Sequence, residues 1–327
     1  MLKLSEGKKA ALERLSTEAG FIEALAIDQR GSLKKMMADF GESNAEQEII
    51  NFKGAASREL TNYASAILLD PEYGLPAAKE RAIGSGLLLA YEKTGYDAST
   101  PGRLPDILED WSVSRLKKEG ADAIKFLLYY NPDDEKHINH LKHVFVERLG
   151  SECLGEDIPF FLEIVTYDNE VDSADPAGYA RIKPRKVIES TQEFAKPQYH
   201  VDVLKLEVPV DMNYVEGFAE NEVVYSRKEA LGYFKDQSEA TKQPFIFLSA
   251  GVTMQLFQET IRFAKEAGST FNGVLCGRAT WRDGVKPYVT QGEQAGLNWF
   301  ATQGKANIET LNEVVEKSAS SWRDKVE

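Results

Sequence analysis

Cysteine is nearly absent: Cys153 and Cys276 are the only two in 327 residues. Two cannot build a disulfide framework, so both are expected to be free thiols of a reducing, cytoplasmic compartment. Histidine is as scarce, with four. His137, His140 and His143 lie three apart on one helix-patterned stretch, where the first and last rotate away from each other. A surface helix is expected there, and no metal site. No stretch approaches the roughly 18 uninterrupted apolar residues of a membrane span. The charged start, Met1-Leu2-Lys3-Leu4-Ser5-Glu6-Gly7-Lys8-Lys9, lacks the apolar centre of a secretory signal. Neither a Gly-rich dinucleotide fingerprint nor a P-loop occurs, so no cofactor is expected. Positive charge is in deficit, with 39 Lys and Arg against 52 Asp and Glu and a net charge of −13. That balance argues against a nucleic-acid partner, although a local cationic pocket for an anionic substrate remains compatible with it.

What the chain does contain is a series of short apolar runs with room for a helix between them. The expected strands are Glu23–Ile27, Ala66–Leu69, Leu87–Tyr91, Ala123–Tyr129, Phe160–Val165, Val203–Val208, Phe245–Leu248 and Gly273–Cys276. Helix patterns fall at Val113–Lys118, Glu135–Leu149, Lys186–Phe194 and Met254–Glu266. Strand–helix alternation means βα units and a parallel sheet. Eight such units predict a (β/α)8 TIM barrel, with an open doubly wound sheet as the alternative. The first twenty residues and those after Trp281 read as extra N- and C-terminal helices. No linker or low-complexity segment interrupts the series, so residues 1–327 are expected to form one domain. The charge-dense patches Asp133–His137 and Arg181–Lys186 read as helix starts or solvated loops.

Both faces of a barrel strand should be apolar, so a charge inside one is an anomaly. Three occur in consecutive strands: Lys125, Glu163 and Lys205, each about one βα unit from the next. Equivalent positions would bring lysine, carboxylate and lysine to one cavity at the C-terminal ends of the strands, where active sites of this fold lie. Burying three charges is costly without a functional reason. A lysine nucleophile must be neutral to attack a carbonyl, and burial or a neighbouring cation lowers its pKa. A glutamate beside it can move protons. The pattern points to iminium chemistry on a ketone or aldehyde, with either lysine as the nucleophile.

The runs Val203-Leu204-Lys205-Leu206-Glu207-Val208-Pro209, Phe161-Leu162-Glu163-Ile164, Ala26-Ile27-Asp28-Gln29-Arg30-Gly31-Ser32 and Cys276-Gly277-Arg278-Ala279-Thr280-Trp281 resemble those of the tagatose 1,6-bisphosphate aldolases. These are class I, Schiff-base enzymes of the lactose and galactose (tagatose 6-phosphate) pathway of Gram-positive bacteria. The resemblance runs along essentially the whole chain. It implies a (β/α)8 barrel with Lys205 on the sixth strand forming the Schiff base. It further implies Glu163 on the fifth strand as proton shuttle, Lys125 on the fourth, and Asp28 ending the first. The same catalytic set occurs in aldolases for fructose 1,6-bisphosphate or sulfo-sugar phosphates, and a metabolite-sensing protein could retain the pocket.

A ketose bisphosphate needs two anion sites, and barrels usually hold phosphate on the loops after strands seven and eight. Ser249 and Gly251 follow the seventh strand; Gly277 and Arg278 follow the eighth. Gly residues admit close approach of the backbone, and Arg278 offers a charged fork. Gln29 and Arg30 join the binding set, Arg30 as a candidate for the second phosphate beside Arg181, Lys183 and Arg185, which are expected in the loop after strand five. The expected partners are the ketose bisphosphate, dihydroxyacetone phosphate and glyceraldehyde 3-phosphate, with self-association into a homo-oligomer.

Overall fold

The structure is a computed structural model and describes residues 1–42, 45–93, 102–171 and 175–327. Among these, eight parallel strands close in sequence order into a barrel. They are β1 Ile22–Ala26, β2 Ala66–Leu69, β3 Gly86–Ala90, β4 Ala123–Tyr130, β5 Phe160–Thr166, β6 Val203–Leu206, β7 Phe245–Leu248 and β8 Gly273–Cys276. Every expected strand is present within two residues at each end, and the open-sheet alternative is excluded because β1 pairs with β8. Closure depends on Gly273, whose φ of 140° suits glycine and where a Cβ would run into the Ile22 carbonyl.

The helices, in order, are α1 Glu6–Arg14, α2 Gly31–Asp39, α3 Ala45–Leu60, α4 Leu75–Glu80, α5 Val113–Lys118, α6 Lys136–Gly155 and α7 Pro176–Phe194. They continue with α8 Arg227–Glu239, α9 Met254–Glu266, α10 Arg278–Trp281, α11 Val285–Gln291, α12 Glu293–Trp299 and α13 Lys305–Ser318. Strand parity sorts the core. Ala24, Ala26, Leu68, Leu88, Ala90, Ala123, Phe161, Val203, Ile246 and Leu275 share one buried cluster. Their chain neighbours Leu25, Ile67, Leu69, Leu89, Ile124, Leu162 and Leu204 belong to the larger cluster shared with the helices. Parallel strands covered on both faces read as continuous apolar runs, which is why charges in them stand out. Leu12 and Leu15, near the end of α1, join the barrel's interior cluster with Trp322. Lys8 of α1 pairs with Asp202, just before β6, at 2.7 Å.

Two expectations need correction. The cluster Arg181–Lys186 is neither a loop nor a helix start: it lies in the middle of α7, which begins ten residues before the predicted helix. Asp175 caps that helix through Gly178 N at 2.8 Å, and Pro176 occupies its first turn. Pro184 reads as a breaker in sequence, yet Ala177, Ala180, Lys183, Pro184 and Val187 form one buried face at helical spacing. Nor is the cluster solvated throughout, since Lys183 and Lys186 are buried. On α6, His137 and His140 are exposed as expected, whereas His143 is half-buried, its Nε2 hydrogen-bonded to the Tyr130 hydroxyl at 3.0 Å. Among the described residues no helix is long and apolar enough to cross a membrane.

Candidate active site

A cavity of about 690 Å3 opens at the C-terminal ends of the strands. The parity that places Ala24 and Ala26 inside carries on to Asp28, and that of Leu88 and Ala90 carries on to Glu92. Lys125, Glu163 and Lys205 share the inward parity of β4, β5 and β6, and all five line the cavity.

Glu163 and Lys205 are register partners across β5 and β6. Lys125 is out of register with them, since Leu127 is opposite Glu163, but the stagger that accumulates from strand to strand offsets this and sets Lys125 of β4 level with Lys205 of β6. The expected convergence is therefore present, with Glu163 between two lysines at one level of the barrel.

The Lys125 ammonium lies 2.9 Å from Asp28 Oδ2, 2.6 Å from Glu92 Oε1 and 2.7 Å from Glu163 Oε2. Three carboxylates face its three N–H groups. Burial opposes its charge, but Asp28, Glu163 and Glu92 outweigh burial and hold its pKa well above the usual lysine value. Lys205 Nζ lies 2.9 Å from Glu163 Oε2, its single ion pair among the described residues. Burial alone would raise the carboxyls of Glu163 and Asp28, yet Lys125 and Lys205 hold both below the ordinary range. The simple expectation of one lysine repelling another is thus modified. Three anions offset the charge of Lys125, and Glu163 is the carboxylate within hydrogen-bond distance of Lys205.

Facing this network are the loops after β7 and β8. Val252 N donates to Ser249 O at 3.1 Å, closing a tight turn in which Ala250 and Gly251 have φ of 50° and 79°. A left-handed alanine costs on the order of 1 kcal/mol, a strain that clusters at ligand-binding loops. A Cβ on Gly251 would sit 3.1 Å from the Arg278 guanidinium, and one on Gly277 would sit 3.4 Å from Gln29 Nε2. Ser249, Gly251, Gly277, Arg278 and Gln29 are therefore gathered at one end of the cavity, with the exposed Arg278 over the glycine.

Arg30 also lines the cavity but is buried. Nη1 pairs with Glu72 and Nη2 donates to the Glu92 carbonyl at 2.8 Å, while Nε has no partner among the described residues. The remaining cations considered for a second phosphate are engaged within the protein. Arg181 pairs with Glu222, Arg185 with Asp133 at 2.5 Å, and Lys183 with Glu207 at 3.7 Å. None of the three lines the cavity. Cys276 is buried at the end of β8, its thiol pushed up by burial to about 11. Among the described residues no group of three or more His, Cys, Asp or Glu is arranged to hold a metal ion.

Sequence reasoning missed Glu92 and gave Glu207 no role. Glu207 lines the cavity two residues beyond Lys205, and its Oε2 accepts hydrogen bonds from N and Oγ1 of Thr166, each at 2.7 Å. A signal for Glu92 existed: it follows the apolar run Leu87–Ala90 on the inward parity.

A model of the DeoC/LacD family aldolases matches residues 22–283. The chain is 65% identical over 327 residues to tagatose 1,6-diphosphate aldolase 2 of Enterococcus faecalis, covering all of this chain and 99% of that one. It is 55% identical over 324 residues to tagatose 1,6-diphosphate aldolase of Lactococcus lactis, covering 99% of each. Among solved structures, the fructose-bisphosphate aldolase of Plasmodium falciparum superimposes with a TM-score of 0.70 over 98% of both chains, at 15% identity. A Schiff-base-forming fructose-1,6-bisphosphate aldolase gives 0.58 over 94% of this chain and 98% of that one, at 16% identity. At such low identity these two speak for the fold alone. With the family model covering the whole barrel and relatives aligned end to end at more than half identity, this chain belongs to the DeoC/LacD family of aldolases.

Proposed function

We propose that this protein is a class I aldolase that cleaves D-tagatose 1,6-bisphosphate to dihydroxyacetone phosphate and D-glyceraldehyde 3-phosphate, with Lys205 as the Schiff-base lysine. The observation that carries the reading is the unequal pairing of the two lysines. Among the described residues Lys125 meets three carboxylates, whereas Lys205 pairs with Glu163 alone. A fully engaged ammonium has no lone pair to offer, so Lys205 is the better nucleophile. The substrate follows from the names of relatives that align over the full chain.

In this reading Lys205 passes a proton to Glu163 and its free amine attacks C2 of the open-chain ketose. Glu163 returns that proton to the oxygen at C2 and then relays a second proton to it from the attacking nitrogen, so that the oxygen leaves as water and the iminium forms. The iminium accepts the electron pair of the C3–C4 bond as that bond breaks, while Glu163, assisted by Asp28, takes the proton of the C4 hydroxyl. Glyceraldehyde 3-phosphate departs. Protonation of the enamine at C3 and hydrolysis of the iminium then release dihydroxyacetone phosphate and restore Lys205. Lys125 supplies fixed positive charge beside the oxygens that change charge. Ser249, Gly251, Gly277, Arg278 and Gln29 hold one phosphate, and the unpartnered Nε of Arg30 makes it the candidate contact for the other.

The reading includes a cytoplasmic place in lactose and galactose breakdown, in keeping with two buried free thiols. It also includes self-association, which light scattering checks. Borohydride reduction in the presence of dihydroxyacetone phosphate, followed by peptide mass mapping, should place the adduct on Lys205. Comparing kcat/KM for tagatose, fructose and sulfo-sugar phosphates tests the substrate. Absence of cleavage of tagatose 1,6-bisphosphate would overturn that assignment.

A further inference from the structure

Glu92 is a carboxylate that the proposed chemistry does not use, yet it holds the shortest of the three ion pairs to Lys125, at 2.6 Å. Its other contacts are equally definite. Oε2 accepts from Leu127 N at 3.2 Å, and its backbone carbonyl accepts from Arg30 Nη2 at 2.8 Å. The residue is buried and lines the cavity. It is thus gripped from the β1 side by Arg30 and from the β4 side by Lys125 and Leu127.

The charged groups around it are Lys125, Asp28, Glu163 and Arg30, with Lys205 one step away through Glu163. Glu163 Oε2 is shared by both lysines, at 2.7 Å from Lys125 and 2.9 Å from Lys205. How strongly Lys125 draws on that oxygen depends on how many other anions Lys125 has. With Asp28 and Glu92 both in place, Glu163 is not needed to neutralise Lys125 and is available to Lys205.

Resting on the reading of Lys205 as nucleophile and Glu163 as proton shuttle, we propose that Glu92 is a positioning residue of the reaction. By completing the three-carboxylate cradle of Lys125, it fixes that lysine as a constant ammonium and leaves Glu163 free to exchange its proton with Lys205.

The test is E92Q, which keeps the shape and the acceptor oxygen but removes the charge, alongside E92D, which keeps the charge on a shorter arm. Removing a negative charge stabilises the deprotonated form of each neighbouring group. E92Q should therefore shift the pH profile of kcat/KM toward acid by about half a unit or more. Its kcat should fall roughly 10- to 100-fold, within the range for a disturbed proton transfer, while KM changes less than about threefold. E92D should return the profile to its wild-type position and recover part of kcat. An unmoved profile with kcat within about twofold in E92Q, or equal losses in both variants at the wild-type pH position, would show that Glu92 serves packing only.

If E92Q fails to fold, E92D still decides through competitive acetic anhydride labelling. Retracting the carboxylate should raise the labelling of Lys125 about threefold or more over wild type, and unchanged labelling overturns the proposal. Mapping the borohydride adduct in the same wild-type preparation separates the two levels. An adduct away from Lys205 defeats the reading of the site. An adduct on Lys205 with an unmoved E92Q profile defeats only the role of Glu92.

Discussion

Lys205 Nζ stands 2.9 Å from Oε2 of Glu163, and the same oxygen is held at 2.7 Å by Lys125. One carboxylate oxygen thus joins two buried lysines, and it can receive a proton from Lys205 without any movement of the strands. Enzymes of this type need that proton moved several times in each turnover, so a preformed 2.9 Å contact removes repeated reorganisation.

The pairing leads to opposite outcomes for the two lysines. Lys205→Ala should abolish borohydride trapping and lower turnover by roughly 10^4-fold or more, because Lys125, the other lysine lining the cavity, is held as an ammonium by three carboxylates. Lys125→Met should retain slow trapping at Lys205. Loss of a neighbouring cation raises the pKa of the nucleophile, so its residual rate should climb toward alkaline pH. It also leaves three carboxylates facing one another, at a cost of roughly 3–5 kcal/mol in stability. A borohydride adduct mapped to Lys125 in the wild type would reverse the assignment.

Arg278 sits over Gly251 with its guanidinium exposed at the mouth of the cavity. Arg278→Ala should raise KM for the bisphosphate by roughly tenfold or more, the equivalent of one charge-assisted hydrogen bond. Its effect on kcat should be smaller. An unchanged KM would remove Arg278 from the phosphate site.

Glu23 of β1 is buried, with Oε1 unpartnered. Burial, with a lesser contribution from the charge of Glu316, pushes its carboxyl up to about 8. The folded state therefore keeps a proton that the unfolded chain loses near pH 4.5. The penalty is absent below that pH, grows as pH rises toward 8, and is constant above it. Glu23→Gln should raise the thermal midpoint at pH 8, corresponding to a gain on the order of 3 kcal/mol. The gain should vanish at pH 4. A gain of equal size at both pH values would mean that packing, and not ionisation, is at issue.

A lysine-based reaction predicts metal independence. Activity should survive exhaustive treatment with EDTA at full rate. Loss of activity that added zinc restores would sink the Schiff-base reading.

The barrel was legible in the chain because parallel strands covered on both faces must be apolar, and eight such runs recur with helices between them. The charges inside three of those runs, Lys125, Glu163 and Lys205, marked the site for the same reason. Helix α7 was less legible, since Pro184 and the run Arg181–Lys186 look like a break until the buried face that they share with Ala177 and Val187 is seen.

Local pattern determined which residues point inward, because strand parity depends only on neighbours along the chain. It could not determine how high each side chain sits in the barrel. That depends on the stagger between strands, which sets Leu127 opposite Glu163 in register and yet brings Lys125 level with Lys205. Nor could it distinguish the two lysines, both of which are flanked by apolar residues. Only closure of the barrel brings Asp28 and Glu92, from the ends of β1 and β3, onto Lys125 and leaves Lys205, among the described residues, with Glu163 as its one ion pair. The difference between them is made by charges distant in sequence, whose effect falls off over a few ångströms and therefore exists only in the folded chain.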